Sequence, residues 1–229
     1  MNNLLLRRRM LMQAGGSPTP TLPYVQNGLI GWWDGIWNAG IGQHDSNATT
    51  WVDLSGNNRD ATLANATYSW GADHWDIASG YAQWNGLNLG TDQTIEFLVQ
   101  PSSSSSQYGR YIAEAQSVPS PCYLGGILYI YGYGIDRQLN YYGDLSSAKH
   151  LHCVTHQGIA GAYYLDNTNY ATFAGSNPSS GATYAYFANR PSLGRQVVGK
   201  YFCVRWYNRV LTADELLSNY LTDRQRFNF

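Results

Sequence analysis

Charge is scarce in this chain. Only 13% of its 229 residues are acidic or basic, and glutamate occurs only as Glu96, Glu114 and Glu215. A chain this poor in charge and rich in apolar residues is neither a disordered segment nor a solvated helical rod. The net charge of −1 leaves no basic face of the kind nucleic-acid binders show, so nucleic acid is a disfavoured partner. Cysteine is equally sparse: Cys122, Cys153 and Cys203 are odd in number and fit no metal or redox spacing. Cys153 and Cys203 fall in apolar runs, where they are expected to act as small hydrophobes, so the fold should hold without disulfides. No apolar run approaches the roughly 20 residues that span a bilayer. Phosphate loops, nucleophilic triads and dinucleotide glycines are missing as well. The glycines of "GYGIDR" (132–137) lack a strand–turn–helix setting.

What is present points to β structure. Nineteen Tyr, eight Trp and 24 Gly accompany short runs of aromatic and branched residues separated by Gly, Asn, Asp and Ser. In "TIEFLVQP" (94–101), Ile95, Phe97 and Val99 alternate with Thr94, Glu96 and Leu98. "ILYIYGYG" (127–134), "AYYLDNTNYATF" (162–173), "TYAYFANR" (183–190) and "YFCVRWYN" (201–208) read the same way. One helix is predicted near the end. Thr212 and Glu215 form a capping box, and Leu216, Leu217, Tyr220 and Leu221 make its expected apolar face.

The opening segment is different. Leu4, Leu5 and Leu6 precede Arg7, Arg8 and Arg9, and Met10 and Leu11 follow, an order that does not fit an export signal. These are good helix formers, and "SPTPTLP" (17–23) follows as a stiff spacer. The expectation is a docking arm and spacer over 1–23 and one globular domain over 24–229.

The motifs together resemble concanavalin A-like, laminin-G-like jelly rolls. "VGKYFCVRWYNRVLTADELLSNY" (198–220) is similar to their closing strand and helix, with matches at Gly199, Val204, Arg205, Tyr207, Asn208, Arg209, Leu211 and Glu215. "GLIGWWDG" (28–35), "WVDLSGNNRDATL" (51–63), "YAQWNGLNLGTDQTIEFLVQP" (81–101) and "HLHCVTHQGIAGAYYLDN" (150–167) are similar to the earlier strands and turns, in order. Asn58 and Ala61 replace the usual turn glycines, and Phe202 and Cys203 replace an acidic pair. The resemblance implies an all-β, two-sheet antiparallel jelly-roll sandwich with one short C-terminal helix, preceded by the arm.

That fold includes glycoside hydrolases, whose paired carboxylates sit at period-two spacing on one strand. No glutamate here has such a neighbour, so no catalytic residue is assigned. Asp73 and Asp76 remain without a supporting motif. Asp53, Asn57 and Asp60 put hard oxygen ligands in one loop, which suits calcium, although Asp, Asn and Gly also dominate ordinary turns, and the turn is preferred. His150, His152 and His156 share a strand face and could serve zinc; a half-exposed face explains them more simply. Amphipathic aromatics suit sugar stacking, and the candidates are Trp32, Trp33, Trp37, Trp70, Trp75, Tyr131 and Tyr133.

The functional expectation is a non-enzymatic, lectin-like attachment or decoration protein of a larger particle, a phage virion first among them. Its arm would engage an assembly protein and its body surface glycans, with a homo-oligomer as an open alternative. An exported adhesin of a gut bacterium, at the cell surface, is the second reading. A glycan hydrolase or lyase with an atypical site is the third.

Overall fold

The structure is a computed structural model that describes residues 22–85, 91–102, 109–114, 120–124, 127–132, 135–142, 145–174, 184–189 and 194–229. The arm residues Leu4 to Leu11 lie outside the described residues.

Two central strands set the architecture. In β5 (Asp92–Pro101), alternation sends Ile95, Phe97 and Val99 into one buried cluster and Leu98 into another. In β15 (Gly199–Tyr207), a bulge between Tyr201 and Cys203 lets Phe202 and Cys203 both join the second cluster. Tyr201, Val204 and Trp206 stay in the first. Strands covered on both faces lie in the middle of a layered structure.

Around them the order is β13 (Thr168–Ala174), β12 (Ala160–Leu165), β11 (His150–Gln157), β5, β15, β4 (Trp75–Asn85), β14 (Tyr184–Phe187) and β7 (Ile112–Glu114). β1 (Leu29–Asp34) also pairs with β15, β3 (Ala61–Trp70) with β4, and β2 (Thr50–Trp51) with β3. A second sheet runs β10 (Ile135–Tyr142), β9 (Ile127–Gly132), β8 (Ser120–Leu124) and β6 (Gly109–Arg110). Every pairing is antiparallel. The fold is the expected all-β antiparallel sandwich with one helix at its C-terminus. The hairpin joining β12 to β13 turns on Asp166 (φ 49°) and Asn167 (φ 62°). Asp and Asn tolerate this left-handed pair better than other side chains, and it matches the twist of the flanking strands.

Six of the eight tryptophans, Trp33, Trp51, Trp70, Trp75, Trp84 and Trp206, fill the inner cluster. The second cluster lies between the β5–β15 face and α1 (Ala213–Phe227), with Tyr24, Leu29, Trp32 and Leu98 opposite Leu216 and Phe227. The capping box forms as expected: the Thr212 side chain accepts from the Glu215 N–H, and the Glu215 carboxylate accepts from the Thr212 N–H. The expected apolar face needs correction. The buried side carries Leu216, Asn219, Asp223 and Phe227, while Leu217 and Leu221 are exposed. Polar Asn219 and Asp223 face inward because buried charge awaits them there. Among the described residues, no helix is long and apolar enough to cross a membrane. Cys153 and Cys203 are free and buried.

Candidate functional site

Each acidic side chain under the helix has a fixed partner. Arg205, 1% exposed, donates from Nε to Glu96 Oε2 (2.9 Å) and from both terminal nitrogens to Asp223 (2.7 and 2.5 Å). Asn219 also donates to Glu96 Oε2 (2.7 Å), and the Tyr24 hydroxyl donates to Asp223 Oδ1 (2.6 Å). Burial pushes the Glu96 carboxyl above its ordinary value, against the opposing pull of Arg205. Asp34, raised by burial and held down in part by Arg226, bonds that guanidinium at 2.7 Å. These carboxylates are sealed from substrate and serve as ties between sheet and helix.

The "DLSGNNRD" loop is likewise occupied by its own chain. The Asp53 carboxylate accepts four hydrogen bonds, from the N–H groups of Trp32, Ser55 and Arg59 and from the Ser55 hydroxyl. Asp60 accepts from the Asp53 N–H, and Asn57 donates to Ser55 Oγ and to the Leu29 carbonyl. Asp53 is buried, and both of its carboxylate oxygens, like Asp60 Oδ1, already accept hydrogen bonds from the loop. Its Asx-type hydrogen bonds are those of a turn.

The histidine face also needs correction, because His152 and His156 are buried and His150 alone is half-buried. His152 stacks on Phe97 (4.8 Å between ring centres, 4° between planes) and hydrogen-bonds the Tyr163 hydroxyl at 2.7 Å through Nδ1. His156 is buried as well, while His150 pairs with Asp166 at 2.7 Å. Among the described residues, no group of three or more His, Cys, Asp or Glu side chains could hold a metal.

The proposed sugar-stacking tryptophans are largely spent on the core. Trp32, Trp33 and Trp75 are fully buried and Trp70 nearly so. Trp32 and Trp33 point to opposite faces of β1, and both faces are covered. They offer no ring face to a ligand. Trp37 is half-buried against Trp32 and beneath the Arg226 guanidinium (4.3 Å). Tyr131 lies on β9 and Tyr133 beyond it; both side chains are outside the described residues.

An open polar groove lies on the outer side of β4, β15 and β5, beside the area covered by α1. Asp76, Lys200 and Gln100 are register partners across the three strands. With Ala78, Ser102 and Ser146 they line a space of about 420 Å³. Gln100 donates to the Ser146 carbonyl at 3.1 Å, which ties the groove wall to the short helical turn Leu145–Ser147. Asp73, in the turn before β4, is held by its neighbours. Burial opposes its ionisation, but hydrogen bonds from His74 (2.6 Å) and Lys149 (3.2 Å) outweigh that and hold it below the ordinary range. Sequence reasoning weighed Asp76 only as a partner for Asp73 and missed Lys200 and Gln100. The available signal was polar residues at outward positions of two apolar strands.

No family model matches the chain, and no curated protein matches it. Solved structures do share the fold. Trypanosoma rangeli sialidase in complex with sialic acid superimposes with a TM-score of 0.66 at 16% identity, over 97% of this chain and 39% of that one. The binding domain of Paraclostridial Mosquitocidal Protein 1 gives 0.62 at 14%, over 86% of this chain and 53% of that one. The botulinum neurotoxin serotype D binding domain gives 0.61 at 11%, over 86% and 52%. The chain therefore spans about two fifths of the sialidase and about half of each toxin chain, and the likeness is one of fold.

Proposed function

We propose that this chain is a non-enzymatic, lectin-like attachment protein that binds surface glycans through its sandwich and joins a larger particle through residues 1–23. A phage virion is the particle proposed, with the body facing outward. The observation that carries the glycan reading is the open groove. Asp76, Lys200 and Gln100 stand on rigid strands as donors and acceptors for hydroxyl groups, while the carboxylates under the helix are locked in buried ties. The buried carboxylates under the helix cannot act as general acid and base, which must reach the reacting atoms, and this supports the non-catalytic reading. The likeness to a sialidase and to two toxin binding domains supports a binding sandwich and goes no further.

The test is a glycan array probed with the full chain, with calcium and with chelator. Binding to a defined saccharide class is expected, insensitive to chelator because Asp53 is engaged by the chain. Asp76→Ala and Lys200→Ala should each weaken it. A folded protein silent on the whole array would overturn the glycan reading.

A further inference from the structure

The second half of β4 carries another surface, separate from the groove. Ala82 and Trp84 of β4 and Ala185 and Phe187 of β14 point into the inner cluster. Period-two alternation therefore turns Tyr81, Gln83, Asn85 and Tyr186 to the opposite side. Gln83 has Thr62 of β3 as its register partner on one flank and Tyr186 of β14 on the other. Thr62 and Asn85 are exposed, and Tyr81, Gln83 and Tyr186 are half-exposed. The two tyrosine rings meet edge to face, 5.1 Å between centres at 83°, and Gln83 donates to Asn85 Oδ1 at 3.1 Å.

This display depends on a break in the strand. Ile77 and Ala82 both face inward although five positions separate them, so the alternation slips by one residue between them. Gly80, at φ +94°, lies in the break; a Cβ there would meet the Asn65 carbonyl oxygen at 2.5 Å and the Ala66 Cα at 2.4 Å. Without the slip Tyr81 would point into the core. Bulges that re-aim a side chain are characteristic of ligand-facing positions.

None of these five side chains is charged. The patch gives no counter-charge to a phosphate, sulfate or carboxylate. It does offer aromatic rings for the C–H face of a pyranose, with amides and a hydroxyl for its hydroxyl rim. We propose that Tyr81 and Tyr186, with Thr62, Gln83 and Asn85, form a subsite for a neutral saccharide. The proposal rests on the glycan-binding reading and adds a second place and a ligand class to it.

Calorimetry on the full chain with cellohexaose, maltohexaose, laminarihexaose, mannohexaose and α2,3-sialyllactose tests it. A neutral hexasaccharide should bind. Tyr81→Ala and Tyr186→Ala should each weaken it by about tenfold or more, and Tyr81→Phe, which keeps the ring, should largely retain it. If an alanine variant fails to fold, the exposed Asn85→Ala carries the test and should weaken binding severalfold. Unchanged affinity in folded Tyr81→Ala and Tyr186→Ala, with binding abolished by Lys200→Ala, would overturn the subsite and leave the groove standing. Binding of sialyllactose alone would overturn the neutral class. No binding of any saccharide would overturn the subsite together with the glycan reading.

Discussion

Arg205 is one cation facing two buried carboxylates, with the Tyr24 ring 4.0 Å from its guanidinium. Charges taken out of water are tolerable only while they stay paired and hydrogen-bonded. Arg205→Met should therefore cost about 3–5 kcal/mol, because Glu96 and Asp223 would be left unpaired in a sealed site. Replacing all three groups with apolar residues of similar volume should recover most of that loss. Urea unfolding of the single and triple variants tests both statements. A loss below about 1 kcal/mol for Arg205→Met would show that water reaches the cluster and that it ties nothing. The sequence marked Arg205 through its resemblance motif but could not reveal its role. One partner lies 109 residues away, and the other is on the following helix.

At the scale of the element, α1 shows which part of a helix is legible beforehand. Its start is local chemistry: Thr212 and Glu215 are three residues apart and exchange hydrogen bonds across one turn. Its buried face is not local, because Asn219 and Asp223 are chosen by Glu96 and Arg205, and Leu217 and Leu221 are left outside. Thr212→Ala should cost about 1 kcal/mol. Glu215 also grips Arg209 through both oxygens (2.8 and 2.6 Å), and that hydrogen bond, with help from the Thr212 N–H, lowers its carboxyl to about 2. A depressed acid contributes stability above its unfolded value, about 4.3, and loses it as pH falls toward the folded value. Glu215→Gln should therefore lower stability at pH 6 and flatten the slope below pH 4.5, as read by circular dichroism melts across that range. Parallel slopes for variant and wild type would show that the helix N-terminus frays independently of this carboxylate.

For the whole molecule, the layered β architecture was readable because alternation is a property of short segments, as in "TIEFLVQP", whereas the run "AYYLDNTNYATF" read as one strand-like stretch and is folded into a hairpin at Asp166 and Asn167. Which aromatics would be free was not readable. Trp32 and Trp33 are adjacent on one strand, and only the finished fold shows that α1 covers one side and the inner cluster fills the other. The same burial gives the molecule its expected response to mild acid. His152 packs with Phe97 and Tyr111 in a three-ring cluster (4.8 Å from its ring centre to each), with Tyr163 on Nδ1. Burial, aided by the charge His150 would carry, keeps its pKa well below the ordinary histidine value, and burial lowers His156 too. The unfolded chain takes up these protons near pH 6.5, whereas the folded chain resists them. Stability is therefore intact above about pH 6.5 and falls as pH drops, by about 1.4 kcal/mol for each unit of depression traversed. Glu96 and Asp34 run the other way: burial raises both, so proton uptake there favours the folded state and softens the loss once pH approaches the carboxylate range. Urea unfolding from pH 7.5 to 5 should show a falling free energy, and His152→Phe should remove part of that slope while keeping the stack on Phe97. An unchanged slope in a folded His152→Phe would place the acid response elsewhere and leave His152 as a packing residue alone.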